Sequence, residues 1–393
     1  MIKVNRRVKD IVGSTTLAIT ARAKELQAQG HDVVNFGAGE PDFDTPDFIK
    51  KAGIKAIESG FTKYTPSIGT QDLREAIAAK FLQDNDLGYK PNQIVVSCGA
   101  KHSLFNIIQV LVDDGDEVIF QSPYWVSYPE MVKAAGGRSV VIATGAATQF
   151  KITPQLLEKH ITPKTKILIL NSPSNPTGVM YHKEELMKIA AICVAHKIYV
   201  ISDEIYEKLI YDTNHYTSIA ALGKGIFDLT ITVNGVSKAY AMTGWRIGYA
   251  AGPVEIMEYI KKYQDHSTSN PASNSQVAAR EALKAPQDTI AEMCQVFKKR
   301  RDLMLQCLDQ IKDLSYIRPE GAFYVFCDFS KIVDGSAIAR QMLDDIKVAG
   351  IPGDSFGAPD YIRFSFATSE ERIKEGISRV AKWIADRSSP VKV

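Results

Sequence analysis

The sequence predicts an α/β fold: a large, mostly parallel sheet covered by helices, plus a smaller α+β domain. Three observations carry this expectation. From about residue 90 to 250, short β-rich runs alternate with helical patterns. The runs are continuously apolar, which marks strands buried on both faces, and helices between consecutive strands imply parallel pairing. After about residue 280 that alternation stops.

Thr45-Pro46-Asp47 reads as a helix start, with threonine as cap, proline at the first position and an acid in the first turn. A second helix is expected over 71–83, with Leu73, Ile77 and Phe81 on one stripe. Strands are expected at 94–98, 117–121, 139–143, 167–170, 199–202 and 231–234. A helix carrying Leu104, Ile107, Ile108 and Leu111 follows the first of them. Beyond these lie a long charged helix (about 288–311), strands within 321–326 and 361–366, and a helix near 336–349. The expected division is an arm or part of the small domain over 1–45, a large domain over 46–285 and a small domain over 286–393. The first forty or so residues fall outside the parallel sheet, on the small domain or across a partner.

The 393 residues exceed one small core, in keeping with two domains. Hydrophobic residues at 45% and charged residues at 23% are ordinary for a globular protein. Lys+Arg at 47 nearly balances Asp+Glu at 45, which argues against nucleic acid or a membrane surface as partner. Met1 to Asp10 holds no apolar core of signal-peptide length, and no run suffices to span a bilayer, so a cytoplasmic location is expected. The cysteines at 98, 193, 294, 307 and 327 are odd in number and lack a Cys-x-x-Cys pair, which argues against a disulfide framework or zinc site. Cys98, Cys193 and Cys327 read as buried thiols. The histidines show no metal-ligand spacing, and His102, near the candidate site, reads as structural.

The stretch Ser237 to Arg246 carries the most chemistry. Lys238 offers an amine able to form a Schiff base with an aldehyde, and Arg246 a forked cation suited to phosphate. Together they describe a pyridoxal 5′-phosphate site, although Lys238 alone reads as one solvated lysine among many. Asp203 ends a strand, where it either caps a helix or meets a ligand. Beside a pyridine ring it would keep the ring nitrogen protonated. Tyr206 lies three residues on. Asn175, in the Pro/Gly-fixed loop from Asn171 to Gly178, can aim its amide at a ligand oxygen. Gly99-Ala100-Lys101 joins a strand to a helix start and suits backbone approach to phosphate. Trp125 is either a core tryptophan or a ring-stacking one. Arg363, in a short apolar strand, is either a buried ion pair or a grip on a substrate carboxylate.

In this order and spacing the residues resemble fold-type I, class I pyridoxal-phosphate aminotransferases, and among them the bacterial aspartate aminotransferases. The carriers are Gly39 to Pro46, Tyr64, Gly99 to Lys101, Ser122 to Trp125, Asn171 to Gly178, Ser202 to Tyr206, Ser237 to Arg246, and Arg363, over nearly the whole chain. The resemblance implies a seven-stranded sheet and an aldimine of the cofactor on Lys238, which also moves the Cα proton. It implies Asp203 at the pyridine nitrogen, Tyr206 and Asn175 at the ring hydroxyl, and Trp125 on the ring face. Gly99, Ala100, Ser237 and Arg246 would hold the phosphate, joined by Tyr64 from the other subunit of a homodimer. Gly39 and Arg363 would hold the substrate α-carboxylate, with Trp125 and Asn175 beside it. The stretch from His266 to Pro271 lacks the arginine with which animal-type relatives bind a distal carboxylate; Lys101 is implied instead. The expected reaction is transamination between aspartate or glutamate and 2-oxoglutarate or oxaloacetate. The alternatives are a broad or aromatic aminotransferase and a carbon–sulfur β-lyase. Relatives that accept prephenate use a basic residue in the amino-terminal segment, where this chain has Val12. A pyridoxal-phosphate-sensing regulator would need a winged helix ahead of the family pattern, which here begins within the first forty residues. An inactive homologue would not require Lys238, Asp203, Arg246 and Arg363 together.

Overall fold

Alternate residues of the apolar runs face opposite layers of helices, which is why the runs are apolar throughout. In the computed structural model, which describes residues 4–212, 215–332 and 337–388, Val118, Phe120, Ile167 and Ile169 pack with Leu104, Ile107, Tyr128 and Ile260 on one face. Ile119, Leu168, Leu170 and Val200 pack with Leu157, Leu186 and Ile189 on the other. All six expected strands form, as Ile94–Ser97, Glu117–Ser122, Arg138–Ala143, Thr165–Asn171, Tyr199–Asp203 and Thr230–Gly235. A seventh, Gly248–Ala251, inserts between Ile94–Ser97 and Thr230–Gly235 and runs antiparallel to both. The remaining pairs are parallel.

Parallel register sets the carboxyl ends side by side. Asn171 lies opposite Asp203, and Asp203 opposite Val233, just before the Ser237–Lys238 turn. Irregular segments that leave these ends therefore meet in one place, the usual ligand position of such sheets.

A second, antiparallel sheet has the order Ile351–Pro352, Tyr361–Ser365, Tyr324–Asp328, Ser315–Tyr316. Helices Asp288–Leu308 and Glu370–Ser388 bury Phe297, Met304, Ile373 and Val380 against it. The helix expected near 336–349 is Ile338–Ile346, followed by the short strand Val348–Ala349. That strand pairs in parallel with Val34–Asn35, so the early segment joins this part of the molecule. Further upstream, Arg7 pairs with Asp114 at 2.8 Å and Val12 N–H donates to Glu130 at 2.9 Å. Residues 1–3 and 389–393, the ends of the expected arm and small domain, lie outside the described residues, as does residue 336.

Two local readings are corrected. The first helix is Asp47–Glu58 with Pro46 as its cap residue. Thr45 does not cap it, because its hydroxyl donates to the Ala241 carbonyl at 2.7 Å and accepts from Trp245 Nε1 at 3.1 Å. Cys98 is half-buried rather than buried, unlike Cys193 and Cys327. Among the described residues, no helix is long and apolar enough to cross a membrane.

A buried ion pair fixes the loop beyond Tyr199–Asp203. Lys80, in the helix Gln71–Asn85, pairs with Glu207, and their side chains are 4% and 5% exposed. Asn85 bridges the pair: its carbonyl oxygen accepts from Lys80 at 2.7 Å and its amide donates to Glu207. Removing one member of such a pair strands the other charge in low dielectric. Lys80→Met is expected to cost about 3–5 kcal/mol, read as a lowered midpoint in urea denaturation. An unchanged midpoint would show that the pair does not hold this loop.

Candidate active site

The carboxyl ends of the strands enclose a cavity of about 310 Å³, within the range of small-molecule sites. Eleven of the thirteen residues singled out in the sequence line it: Gly39, Ala100, Lys101, Trp125, Asn175, Asp203, Tyr206, Ser237, Lys238, Arg246 and Arg363. Gly99 and Tyr64 do not.

Lys238 follows Thr230–Gly235 and donates from Nζ to the Gly39 carbonyl. Burial is the main reason its amine falls from its ordinary value to about 8. Glu40 opposes that fall, while Arg363, Arg246 and Lys101 reinforce it. A lysine shifted this way carries far more free base near neutrality than a solvated one.

Asp203 is 4% exposed. No helix starts after it, so it is not a helix cap. Tyr128 donates to its Oδ2 at 2.7 Å, and Ile205 N–H approaches Oδ1 at 3.4 Å. Burial raises its carboxyl to about 6, against the lowering effect of the Tyr128 hydrogen bond, the Ile205 amide and Lys238. Asn171 ties Asp203 to the Pro-rich loop: its amide donates to the Asp203 carbonyl at 3.0 Å, and its side-chain oxygen accepts from Asn175 N at 2.8 Å.

Arg363 is 2% exposed and has no acidic partner among the described residues. The reading of a buried ion pair is thus set aside. Its guanidinium instead donates to Asn175 Oδ1 at 2.9 Å and the Gly37 carbonyl at 3.0 Å, and lies 4.2 Å from the Tyr324 ring centroid. Neutral acceptors leave its charge uncompensated, and among the described residues its Nε has no partner. A buried cation in that state is a receptor for an anion.

Arg246 has a left-handed φ of 57° and donates to the carbonyls of Thr243 at 2.9 Å and Cys98 at 3.1 Å. It closes over Gly99, where φ is +91° and a Cβ would sit 2.4 Å from Arg246 Nη2. Only glycine meets both conditions. Gly99 is the cap residue of the helix Ala100–Leu111, whose first N–H groups have no intrahelical partner. Gly248 is needed for the same junction, since a Cβ there would stand 2.0 Å from Ala100 N. Arginine, small backbone and helix start together form an anion cradle.

At the other side, the Lys101 ammonium lies 5.0 Å from the Trp125 ring centroid. His102 accepts from Cys98 N at 3.2 Å and is structural. Tyr64 stands apart and is 92% exposed.

A family model, aminotransferase class I and II, matches residues 31–380. The chain belongs to this family. It is 46% identical to the aspartate aminotransferase of Bacillus subtilis (strain 168), over 98% of this chain and 100% of that one. It is 47% identical to a probable aspartate/prephenate aminotransferase of Aquifex aeolicus, over 96% and 97%. The structure of Thermus thermophilus aspartate aminotransferase with maleate superposes with a TM-score of 0.94 at 43% identity, covering 97% of this chain and 100% of that one. This aminotransferase therefore transfers amino groups between amino acids and keto acids.

Several residues of the aminotransferase cavity escape a reading of its sequence. Ser14 and Thr16 line it from the amino-terminal segment, where nothing in Ser14-Thr15-Thr16 announces a site. Tyr324 lines it from the second sheet and meets the Tyr206 hydroxyl at 2.9 Å. Val12 is 65% exposed and lines a neighbouring cavity.

Proposed function

We propose that this enzyme exchanges the amino group of aspartate or glutamate with 2-oxoglutarate or oxaloacetate, as a cytoplasmic homodimer that uses pyridoxal 5′-phosphate. The observation that carries the reading is the placing of Lys238, a buried carboxylate and an uncompensated Arg363 around one cavity with an anion cradle at its rim. The donor set fits the cofactor. A Cβ at Gly99 would close the cradle, and Asp203 is a buried carboxylate without a protein cation bonded to it among the described residues.

In this proposal Gly99, Ala100, Ser237 and Arg246 hold the phosphate, with Tyr64 of the partner subunit. Lys238 would be the amine that bonds the aldehyde carbon. Asp203 holds the ring nitrogen proton, Tyr206 and Asn175 serve the ring hydroxyl, and Trp125 covers the ring face. When bound, the pyridine ring supplies an electron sink for the pair left at Cα. Arg363, with Gly39 beside it, grips the α-carboxylate and so fixes which bond at Cα faces Lys238. Once the substrate's amino group has displaced it, the Lys238 amine would be free to take the Cα proton and then to act as the acid that delivers it to the former aldehyde carbon, a transfer that contributes about 10²–10⁴-fold. The division at residues 1–45, 46–285 and 286–393 belongs to the same proposal, supported by where the two sheets lie.

Substrate choice rests on Lys101. Lys238, Arg246 and Arg363 already have bonded places in the cavity, whereas Lys101 has no carboxylate partner among the described residues. The relative with maleate shows that a related enzyme accommodates a four-carbon dicarboxylate. The test is a panel of amino donors against 2-oxoglutarate, with prephenate offered as acceptor. Aspartate and glutamate are expected to lead. Lys101→Ala should lower kcat/KM for both by about 10–100-fold, the value of one charged hydrogen bond, and spare aromatic donors. An unchanged dicarboxylate preference would remove Lys101 from the role. Pyruvate released from cysteine conjugates without a keto acid would reveal a β-lyase instead.

A further inference from the structure

We propose that Tyr128 is a positioning residue of the site, its buried hydroxyl keeping Asp203 ionised and turned to receive a protonated pyridine nitrogen. This rests on the reading of Asp203 given above and assigns a role to a residue outside the cavity lining.

Three observations support it. Tyr128 is 2% exposed and donates to Asp203 Oδ2 at 2.7 Å, a length typical of charge-assisted bonds. Burial and the neighbouring Asp203 hold its phenol well above the ordinary value, so it is a donor at every working pH. A fixed donor favours the ionised carboxylate over the neutral one. Tyr128 is also braced. It lies in the helix Ser127–Ala135, with its ring edge-on to Trp125 at 5.3 Å and tilted against Phe120 at 6.1 Å. One side chain thereby sets both the carboxylate and the tryptophan that lines the same cavity.

Among the described residues, the other ionisable groups facing Asp203 are Lys238 beyond Thr230–Gly235, Tyr206 in its own loop, and Tyr216. Only Lys238 is cationic, and its amine is largely neutral above about pH 8. The Ile205 amide is a weak second donor at 3.4 Å. Tyr128 is therefore the strongest permanent support for the charge. Without it Asp203 takes up a proton at higher pH, and that proton must be lost before a protonated ring nitrogen can pair with the carboxylate.

The test is the dissociation constant of pyridoxal phosphate against pH for wild type, Tyr128→Phe and Asp203→Asn, followed by cofactor absorbance. Phenylalanine keeps the ring contacts, and urea denaturation of each variant checks folding. Wild-type affinity should begin to weaken as pH falls through about 6. In Tyr128→Phe the onset should move up by about one to two pH units, the effect of losing one charged hydrogen bond. In Asp203→Asn the limb near pH 6 should vanish, leaving only the dependence through about pH 8 that the Lys238 amine gives all three proteins, and affinity should be low throughout. A Tyr128→Phe curve that overlays wild type while Asp203→Asn loses its limb overturns the role of Tyr128. An Asp203→Asn curve that overlays wild type overturns the reading of Asp203 itself.

Discussion

Lys238→Ala is expected to reduce turnover by about 10²–10⁴-fold through loss of proton transfer alone, with a further loss from the missing covalent attachment. The same variant should lack the visible absorbance of lysine-bound cofactor while still binding pyridoxal phosphate through Arg246 and the Gly99–Ala100 turn. The pH dependence has a definite sign. The Lys238 amine lies near 8 because burial disfavours its cation and three neighbouring cations repel it. Below that pH the amine is protonated and cannot attack a carbonyl; above it the free base dominates. The rate of cofactor attachment to apoprotein should therefore rise through about pH 8 and level off, whereas an unperturbed lysine would go on gaining to beyond about pH 10. Glu40→Gln should move the midpoint lower, because Glu40 is the group that raises it. Stopped-flow absorbance would follow both curves. Retained turnover in Lys238→Ala, or attachment that still climbs at pH 10, would refute the assignment.

The residues that chemistry makes unusual were legible without coordinates. Asp203 and Arg363 stand out because carboxylates and guanidinium groups are costly at strand ends and in apolar strands unless something needs them there, Lys238 because Arg246 follows eight residues on, and Asn175 because its amide sits among turn-forming residues. The strands were legible because burial on both faces makes their sequence continuously apolar. Gly248–Ala251 was not. Gly-Tyr-Ala-Ala has no β-branched residue, and it forms a strand because the Ile94–Ser97 and Thr230–Gly235 edges flank it. Tyr128 and Tyr324 were equally silent. An aromatic residue on a helix or strand reads as core, and each is core; only the three-dimensional packing shows the hydroxyl reaching Asp203 or Tyr206. Thr45 failed for the opposite reason. Its local pattern was a good cap, and contacts with Ala241 and Trp245, almost 200 residues away, claimed the hydroxyl.

Arg363→Lys gives the second large effect. The guanidinium spends two donors on Asn175 and Gly37, and its ring contact with Tyr324 fixes its plane. That leaves a rigid, buried, positively charged face for one anion. Lysine keeps the charge but loses the fork, so it cannot satisfy both protein acceptors and a bidentate carboxylate together. The expected loss in kcat/KM is about 10²–10³-fold, equivalent to about 3–4 kcal/mol. Most of it should fall on KM, because the carboxylate is gripped both before and during reaction. Pyridoxal-phosphate absorbance should remain, since Arg363 is not in the phosphate cradle. Binding of a non-reacting dicarboxylate such as maleate, followed by the spectral change of the holoenzyme, isolates the ground-state part. If Arg363→Lys binds maleate as wild type does, the α-carboxylate is held elsewhere. Lys101 would then be the first cation to test, because among the described residues Lys238, Arg246 and Arg363 are hydrogen-bonded in the cavity whereas the Lys101 ammonium has only its contact with the Trp125 ring.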